Sequence, residues 1–152
     1  MPTPIKRHKA LQPLSREHHQ GLLFCWKIRT GFSKGIAGHR VKAYSDWFYL
    51  NHLLPHFKEE ETYLFPLLGN DDELVLKAIA DHRRLMELFE EKSDFEAVLH
   101  QIEKELEQHI RYEERVLFNA IQNHATEEEL KGYEIQCPET PHSKEWEDPF
   151  WM

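Results

Sequence analysis

The sequence predicts an all-α protein, an up-down-up-down bundle of four helices. Apolar residues recur every three or four positions through four long segments, which is the spacing of one buried helix face. No stretch alternates apolar and polar residues in the way a half-buried strand does. Short segments rich in glycine, asparagine and aspartate separate the helices, and short connections favour antiparallel neighbours.

Composition limits the function classes. The chain has 152 residues, enough for one domain with its own core, and its formal net charge of −8 argues against a nucleic-acid partner. Two cysteines are too few for a disulfide framework, and the longest apolar run, residues 22–26, is far shorter than a membrane span. The first residues lack the apolar core of a secretory signal. We therefore expect a cytoplasmic protein that does not associate with membranes.

The domain is predicted to occupy residues 14–131, as the four-helix bundle. Residues 1–13 contain three prolines and several charges, and they are predicted to be an irregular arm. Residues 132–152 form a C-terminal tail with large aromatic side chains. We expect this tail to dock on protein, either on its own bundle, on a second copy of the chain or on a partner protein.

The first helix is predicted from about residue 15 to residue 30, with Ser15 or a neighbour as its cap. Its inward face carries Leu14, His18, Leu22 and Cys25. Glycines mark the loop that follows. The second helix is predicted over residues 39–68, and Pro55 inside it should produce a kink.

The third helix is predicted over residues 72–92 and the fourth from a cap at Ser93 or Asp94 to about residue 123. The inward face of the fourth helix is predicted to carry Val98, Ile102, Leu106, His109, Glu113, Val116, Leu117 and Ala120. A short helical piece, residues 127–131, then follows a cap at Thr126.

One pattern occurs twice, once in the second helix and once in the fourth. Residues 56–65 and 109–118 share the form H-x-x-x-E-E-x-x-L-F. In each copy a histidine and a glutamate lie one helical turn apart on one face. A single pair of this kind is typical of a solvated surface, but both copies are followed by Leu-Phe, which indicates packing in a core. Buried charges need a partner, and imidazole with carboxylate chelates transition metals.

The first and third helices each place one histidine on an apolar face. Alone, His18 and His82 are typical of core histidines that hydrogen-bond to protein. Together with the two motif copies they complete a symmetric set. The candidate metal ligands are His18, His56, Glu60, His82, His109 and Glu113. His19 is the alternative to His18, because it shares a face with Leu23 and Trp26.

Four histidines and two carboxylates do not fill the coordination of two octahedral ions. Solvent, a bridging group or a small ligand would take the remaining positions. Imidazole, carboxylate and open positions favour iron or manganese, and zinc remains an alternative.

The ordered set H, H-x-x-x-E, H, H-x-x-x-E resembles the hemerythrin-like domains of the HHE cation-binding type, over about residues 14–123. The resemblance implies a four-helix bundle with a non-haem di-iron centre in which Glu60 and Glu113 bridge the irons. The chain departs from the oxygen-carrying hemerythrins, which have a second histidine on the third helix where Met86 stands here. They also have an aspartate where Glu114 stands, and the variant resembled here uses Glu113 instead. The resemblance therefore does not imply that this chain carries oxygen reversibly.

Three functions are compatible with these residues. The first is a protein that binds or senses a diatomic ligand, dioxygen or nitric oxide, or handles iron. The second is a di-iron oxidase or peroxidase-like enzyme, and the third is an interaction module with a structural metal.

Several neighbouring residues have open roles. The acids that flank the motif glutamates, Glu59, Glu61 and Glu114, are expected to be solvated or to support the ligands from outside. His52 either lines a pocket or packs. Tyr49 and Tyr63 either pack in the core or line the site.

Overall fold

A computed structural model describes residues 6–139 and 145–152, and this part of the chain is helical without β-strands. The predicted all-α class is confirmed. The described residues form five helices. Helix α1 is Gln12–Ser33; α2 runs through Gly38–Phe48, Tyr49–Leu53, Leu54–Glu59, Glu60–Leu64 and Phe65–Leu67; α3 is Glu73–Glu90; α4 runs through Phe95–Tyr112, Glu113–Leu117 and Phe118–His124; and α5 is Glu127–Gln136.

Helical structure begins earlier than the sequence indicated. The expected irregular arm ended at residue 13, but a 3-10 turn, Lys9–Leu11, leads directly into α1. The His8 side chain caps this turn by accepting a hydrogen bond from the Ala10 N–H at 3.0 Å. Pro13 lies in the first turn of α1. Backbone N–H groups in this turn have no acceptor within the helix, so a proline there costs no hydrogen bond. Residues 1–5 of the expected arm lie outside the described residues.

Within the part of the chain that the structure describes, three π-helical turns interrupt the regular helices: Tyr49–Leu53, Glu60–Leu64 and Glu113–Leu117. The first comes just before Pro55. In it the Leu54 N–H donates to the Tyr49 carbonyl, five residues back. This wider turn leads into the short helix in whose first turn the proline lies, so α2 continues past it.

The π turns also explain two errors in the predicted faces. Val116 was placed on the inward face of α4, but it is 42% exposed, and Phe118 and Ile121 are buried instead. A π turn adds a residue to the repeat, so a constant period of 3.6 assigns the wrong face after it. Tyr63 lies in the corresponding turn of α2 and is also exposed, so it does not pack or line the site.

The apolar core has two parts. One contains the C-terminal half of α1, the first half of α2 and the adjoining parts of α3 and α4. The other contains the opposite portion of each of these helices together with α5. Tyr49 belongs to the first part and stacks on Phe89 with 4.6 Å between ring centroids.

The C-terminal tail packs on the helices. Phe150 is buried against Gly31, where an added Cβ would lie 2.7 Å from its ring. Trp146 and Trp151 are half-buried against the same core, and Arg40 forms a two-bond ion pair with Asp148. Helix α5 extends five residues beyond the predicted boundary at residue 131, and residues 140–144 of the expected tail lie outside the described residues.

Among the helices described here, none combines the length and the apolar character needed to cross a bilayer.

Candidate metal centre

The structure brings all six candidate ligands into one cluster between the two parts of the core. Helix α1 carries one of them, α3 one, and α2 and α4 two each. Each is at most 5% exposed. The cluster consists of His18, His56, Glu60, His82, His109 and Glu113. His19 is exposed, so the side chain that α1 directs inward is His18.

The two motif copies adopt the same backbone. In each copy the segment is α-helical as far as Glu59 or Tyr112. The glutamate that follows, Glu60 or Glu113, begins a π turn. The Phe65 N–H donates to the Glu60 carbonyl, and the Phe118 N–H donates to the Glu113 carbonyl. The repeated sequence therefore produces a repeated local structure, in which a wide turn starts at each buried carboxylate.

Glu60 lies between histidines of two helices. Its Oε1 is 3.3 Å from His56 Nε2 on its own helix and 3.2 Å from His82 Nε2 on α3. Its Oε2 is 3.8 Å from His18 Nε2 on α1. One carboxylate thus reaches three imidazoles.

Glu113 repeats this arrangement in the other half. Its Oε1 is 3.3 Å from His109 Nε2 on its own helix and 2.9 Å from His18 Nε2 on α1. Its Oε2 is 3.8 Å from His82 Nε2. Each glutamate therefore contacts histidines from both halves of the cluster.

Several inward polar atoms have no hydrogen-bond partner. They are both carboxylate oxygens of Glu60, Oε2 of Glu113, and Nε2 of His82 and of His109. A buried carboxylate without a partner is costly, by several kcal/mol. A cation among these atoms would compensate all of them at once.

The potential donor atoms fall into two groups, and within each group all donors lie within 4.8 Å of one another. One group is His18, His56, Glu60 and Glu113, and the other is Glu60, His82, His109 and Glu113. Both glutamates belong to both groups. These buried groups can hold a metal ion.

In each of the four histidines of the cluster, Nδ1 faces a carboxylate on another helix. The Nδ1–carboxylate pairs are His18–Glu114 at 2.6 Å, His56–Glu17 at 3.1 Å, His82–Glu61 at 2.7 Å and His109–Asp81 at 3.0 Å. Such a partner holds the proton on Nδ1 and directs the Nε2 lone pair inward, which is the tautomer a metal needs.

Two of these four acids were expected as candidates and two were missed. For Glu61 and Glu114 the sequence left open a solvated or a supporting role, and the structure gives them the supporting one. Glu17 and Asp81 were not anticipated, although each directly precedes a cluster histidine in the sequence. An acid beside each histidine could have been noticed in the sequence. In the structure, however, each acid contacts a histidine on a neighbouring helix and not the histidine that follows it in the chain.

The electrostatics of the cluster favour protons on the histidines. Burial alone lowers the pKa of His56, but Glu60 and Glu17 outweigh it, so the pKa lies well above its ordinary value. Burial likewise opposes protonation of His82, while the nearby carboxylates of Glu113, Glu60 and Glu61 raise its pKa to about 10. The cluster without metal is thus built to hold positive charge, and a metal cation would replace those protons.

Glu113 is charged despite its burial. Burial raises the pKa of its carboxyl, but His109 and the neighbouring histidines hold that pKa well below the usual range. Its carboxylate is therefore available as an anionic ligand.

A small cavity lies beside the cluster. We call it the inner cavity, and its volume is about 20 Å³. Its walls include apolar side chains from two helices, Phe48, Leu53 and Phe57 from α2 and Leu106 and Ile110 from α4. His18, His56, His109 and Glu113 border it on the side of the cluster, and His52 also lines it. Because one water needs roughly 10–15 Å³, the cavity admits a water-sized or diatomic molecule only.

Comparison of the chain with models of known families, with curated proteins and with solved structures finds no match. Six buried donors in two groups that share both carboxylates can bind one cation or a pair, beside a cavity sized for a small ligand.

Proposed function

We propose that the six residues bind two iron ions and that the dinuclear centre binds a small diatomic ligand, dioxygen or nitric oxide. The observation that carries this proposal is the sharing of Glu60 and Glu113 between the two ligand groups. With one ion in each group, both glutamates would be shared by the two ions. Two terminal histidines and two shared carboxylates per half are too few donors for a closed octahedral site, so each half would keep open positions.

We propose further that α1 to α4 form an up-down-up-down bundle of the hemerythrin-like type, with α5 as an addition. The distribution of buried residues supports this topology. The N-terminal end of α1 and the C-terminal end of α2 contribute to one part of the core, whereas the opposite ends contribute to the other part. The same alternation recurs in α3 and α4. The cluster then lies midway along all four helices, a usual position for metal sites in bundles.

The donor set supports iron. Imidazole nitrogen with carboxylate oxygen suits iron and manganese, and no thiolate, the donor that favours zinc in structural sites, belongs to either group. Iron would supply open coordination positions and one-electron oxidation and reduction.

The protein residues define what reaches the centre. The apolar walls of the inner cavity disfavour charged species, and its volume excludes organic substrates. The four outer carboxylates fix the histidine rings, which limits rearrangement when a ligand enters. The low cysteine count supports a reducing, cytoplasmic location for such a protein.

The test is purification under anaerobic conditions from iron-replete cells, followed by metal analysis and optical spectra before and after addition of dioxygen or nitric oxide. We expect close to two irons per chain and absorption bands that change with the added gas. The Glu60→Gln/Glu113→Gln protein is the control and should lack both. Two results would overturn the proposal: a colourless protein that contains zinc, or an iron-containing protein whose absorption spectrum does not change when either gas is added.

A further inference from the structure

A second and larger cavity lies between α1, α2 and the C-terminal tail. We call it the outer cavity, and its volume is about 520 Å³. This volume falls within the range of ligand-binding pockets in proteins, roughly 300–1,000 Å³. It is therefore large enough for an organic molecule, in contrast to the inner cavity.

Aromatic rings form much of its wall. Tyr44 and Trp47 come from α2, and Trp146 and Trp151 come from the tail. Tyr44 lies 5.2 Å from Trp151 between ring centroids, and Trp47 lies 5.4 Å from Trp146. Both contacts join the tail to α2, so the docked tail completes the cavity. Flat walls of this kind favour a planar, unsaturated ligand over a puckered one.

The charged groups at the cavity have opposite signs. Lys27 on α1 holds its Nζ 4.0 Å from the centre of the Trp151 ring, and Glu145 in the tail lines the same space. Burial lowers the pKa of Lys27, and the nearby Glu145 carboxylate acts in the other direction. A ligand with a net charge would be attracted by one group and repelled by the other. A neutral molecule with a hydroxyl can donate to Glu145 and accept from Lys27.

The outer cavity is next to the inner one. Gln20, Phe48 and His52 line both cavities. A molecule in the outer cavity is therefore separated by these side chains from the space that borders the His/Glu cluster.

We propose that the outer cavity binds a neutral, planar hydroxyaromatic molecule of two or three fused rings. The rings pack against the indoles of Trp47, Trp146 and Trp151 that line the cavity, and the hydroxyl bonds to Glu145 and Lys27. This goes beyond the function proposed for the metal cluster and does not depend on it.

The experiment titrates the full chain with three related compounds by calorimetry, both metal-free and metal-loaded. The first is 2-naphthol. The second is decahydro-2-naphthol, which has the same skeleton without planarity, and the third is 2-methoxynaphthalene, which lacks the hydroxyl donor. We expect 2-naphthol to bind most tightly. Loss of a hydrogen bond to a charged group should weaken 2-methoxynaphthalene by about tenfold.

Two variants and one internal control locate the site. Glu145→Gln should weaken 2-naphthol, while Glu147→Gln, two residues along the tail and outside the cavity lining, should not. Indole NMR signals report the position, because Trp47, Trp146 and Trp151 line the cavity whereas Trp26 does not. The first three signals should shift on addition of 2-naphthol, and that of Trp26 should stay in place.

Three results would overturn the proposal. One is equal affinity for 2-naphthol and its saturated analogue. Another is an equal effect of Glu145→Gln and Glu147→Gln. The last is a shift confined to the Trp26 signal. None of these depends on metal content, so failure here is distinguishable from failure of the iron centre.

Discussion

Glu60 and Glu113 occupy equivalent positions in two copies of one motif, and each places its Oε1 between the Nε2 atoms of two histidines. The distances are 3.2 and 3.3 Å for Glu60, and 2.9 and 3.3 Å for Glu113. In both cases one histidine belongs to the same helix and the other to a neighbouring helix. The cluster therefore has two similar halves that depend on the same pair of carboxylates.

The first prediction follows from this sharing. Glu60→Gln/Glu113→Gln should reduce bound metal from about two ions per chain to almost none, because neutral amides are poor ligands for such cations. Metal analysis measures the result, and Glu128→Gln, on the exposed surface of α5, is the matched control. Normal metal content in the double variant would show that the two carboxylates do not bridge.

The second prediction concerns the single histidines. His18→Ala and His82→Ala should each remove most of the metal from one half and less from the other, since each variant removes a terminal donor from one half only while both halves share the carboxylates. His19→Ala should leave metal content unchanged, because its side chain is exposed beside the buried His18. Metal stoichiometry and optical spectra of the three variants provide the comparison. Loss of metal in His19→Ala with retention in His18→Ala would contradict the assignment.

The third prediction tests the departure from the oxygen-carrying pattern at Met86. This residue is half-buried on α3, one turn after His82. Met86→His should add a donor at an open position and change the reaction with dioxygen, while Met86→Leu, of similar volume and without a donor, should not. The measurement is the optical spectrum of the iron-loaded protein during exposure to air. Identical spectra for both variants would be evidence against an open position near this side chain.

The sequence was sufficient for the inward placement of the six candidate ligands. The doubled motif fixed four of them by spacing within single helices, and the apolar faces around His18 and His82 supplied the other two. All of these inferences use relations between residues on one helix. For that reason the inward face of α1 was identified correctly even where His18 and His19 are adjacent.

The parts that were missed depend on relations between helices or on irregular backbone. Glu17 and Asp81 act on His56 and His109, which lie on other helices, so no spacing within a helix identifies them. Val116 was misplaced because the π turn at Glu113 shifts the register of α4. The two cavities are formed by side chains distant in the sequence, and a periodic pattern holds no information on such space.

The fourth prediction concerns the outer carboxylates. Glu17→Gln and Asp81→Asn should weaken metal binding by roughly 10–100-fold, the usual effect of removing a carboxylate that orients a metal-bound histidine. Competition with a chelator of known affinity measures this change, with Glu128→Gln again as the control. The combined variant should lose metal from both halves, because the two acids serve different histidines. If both single variants retained the affinity of the parent protein, the Nδ1 contacts would not orient the rings.

The fifth prediction concerns the tail. Truncation after Pro138 removes Phe150, and exposure of the core that it covers should cost about 1.5–3 kcal/mol. For a chain of this length that corresponds to a fall in Tm of roughly 3–12 °C.

Gly31→Ala tests the same contact in the full chain, because its added Cβ would lie 2.7 Å from the Phe150 ring and displace it. Met152→Ala is the control, since that side chain is 86% exposed. Thermal unfolding with sizing chromatography provides both readouts. An unchanged Tm in the truncated protein and in Gly31→Ala would mean that the docked tail contributes no stability, whereas a change in oligomeric state would mean that the tail also covers a surface at which two copies meet.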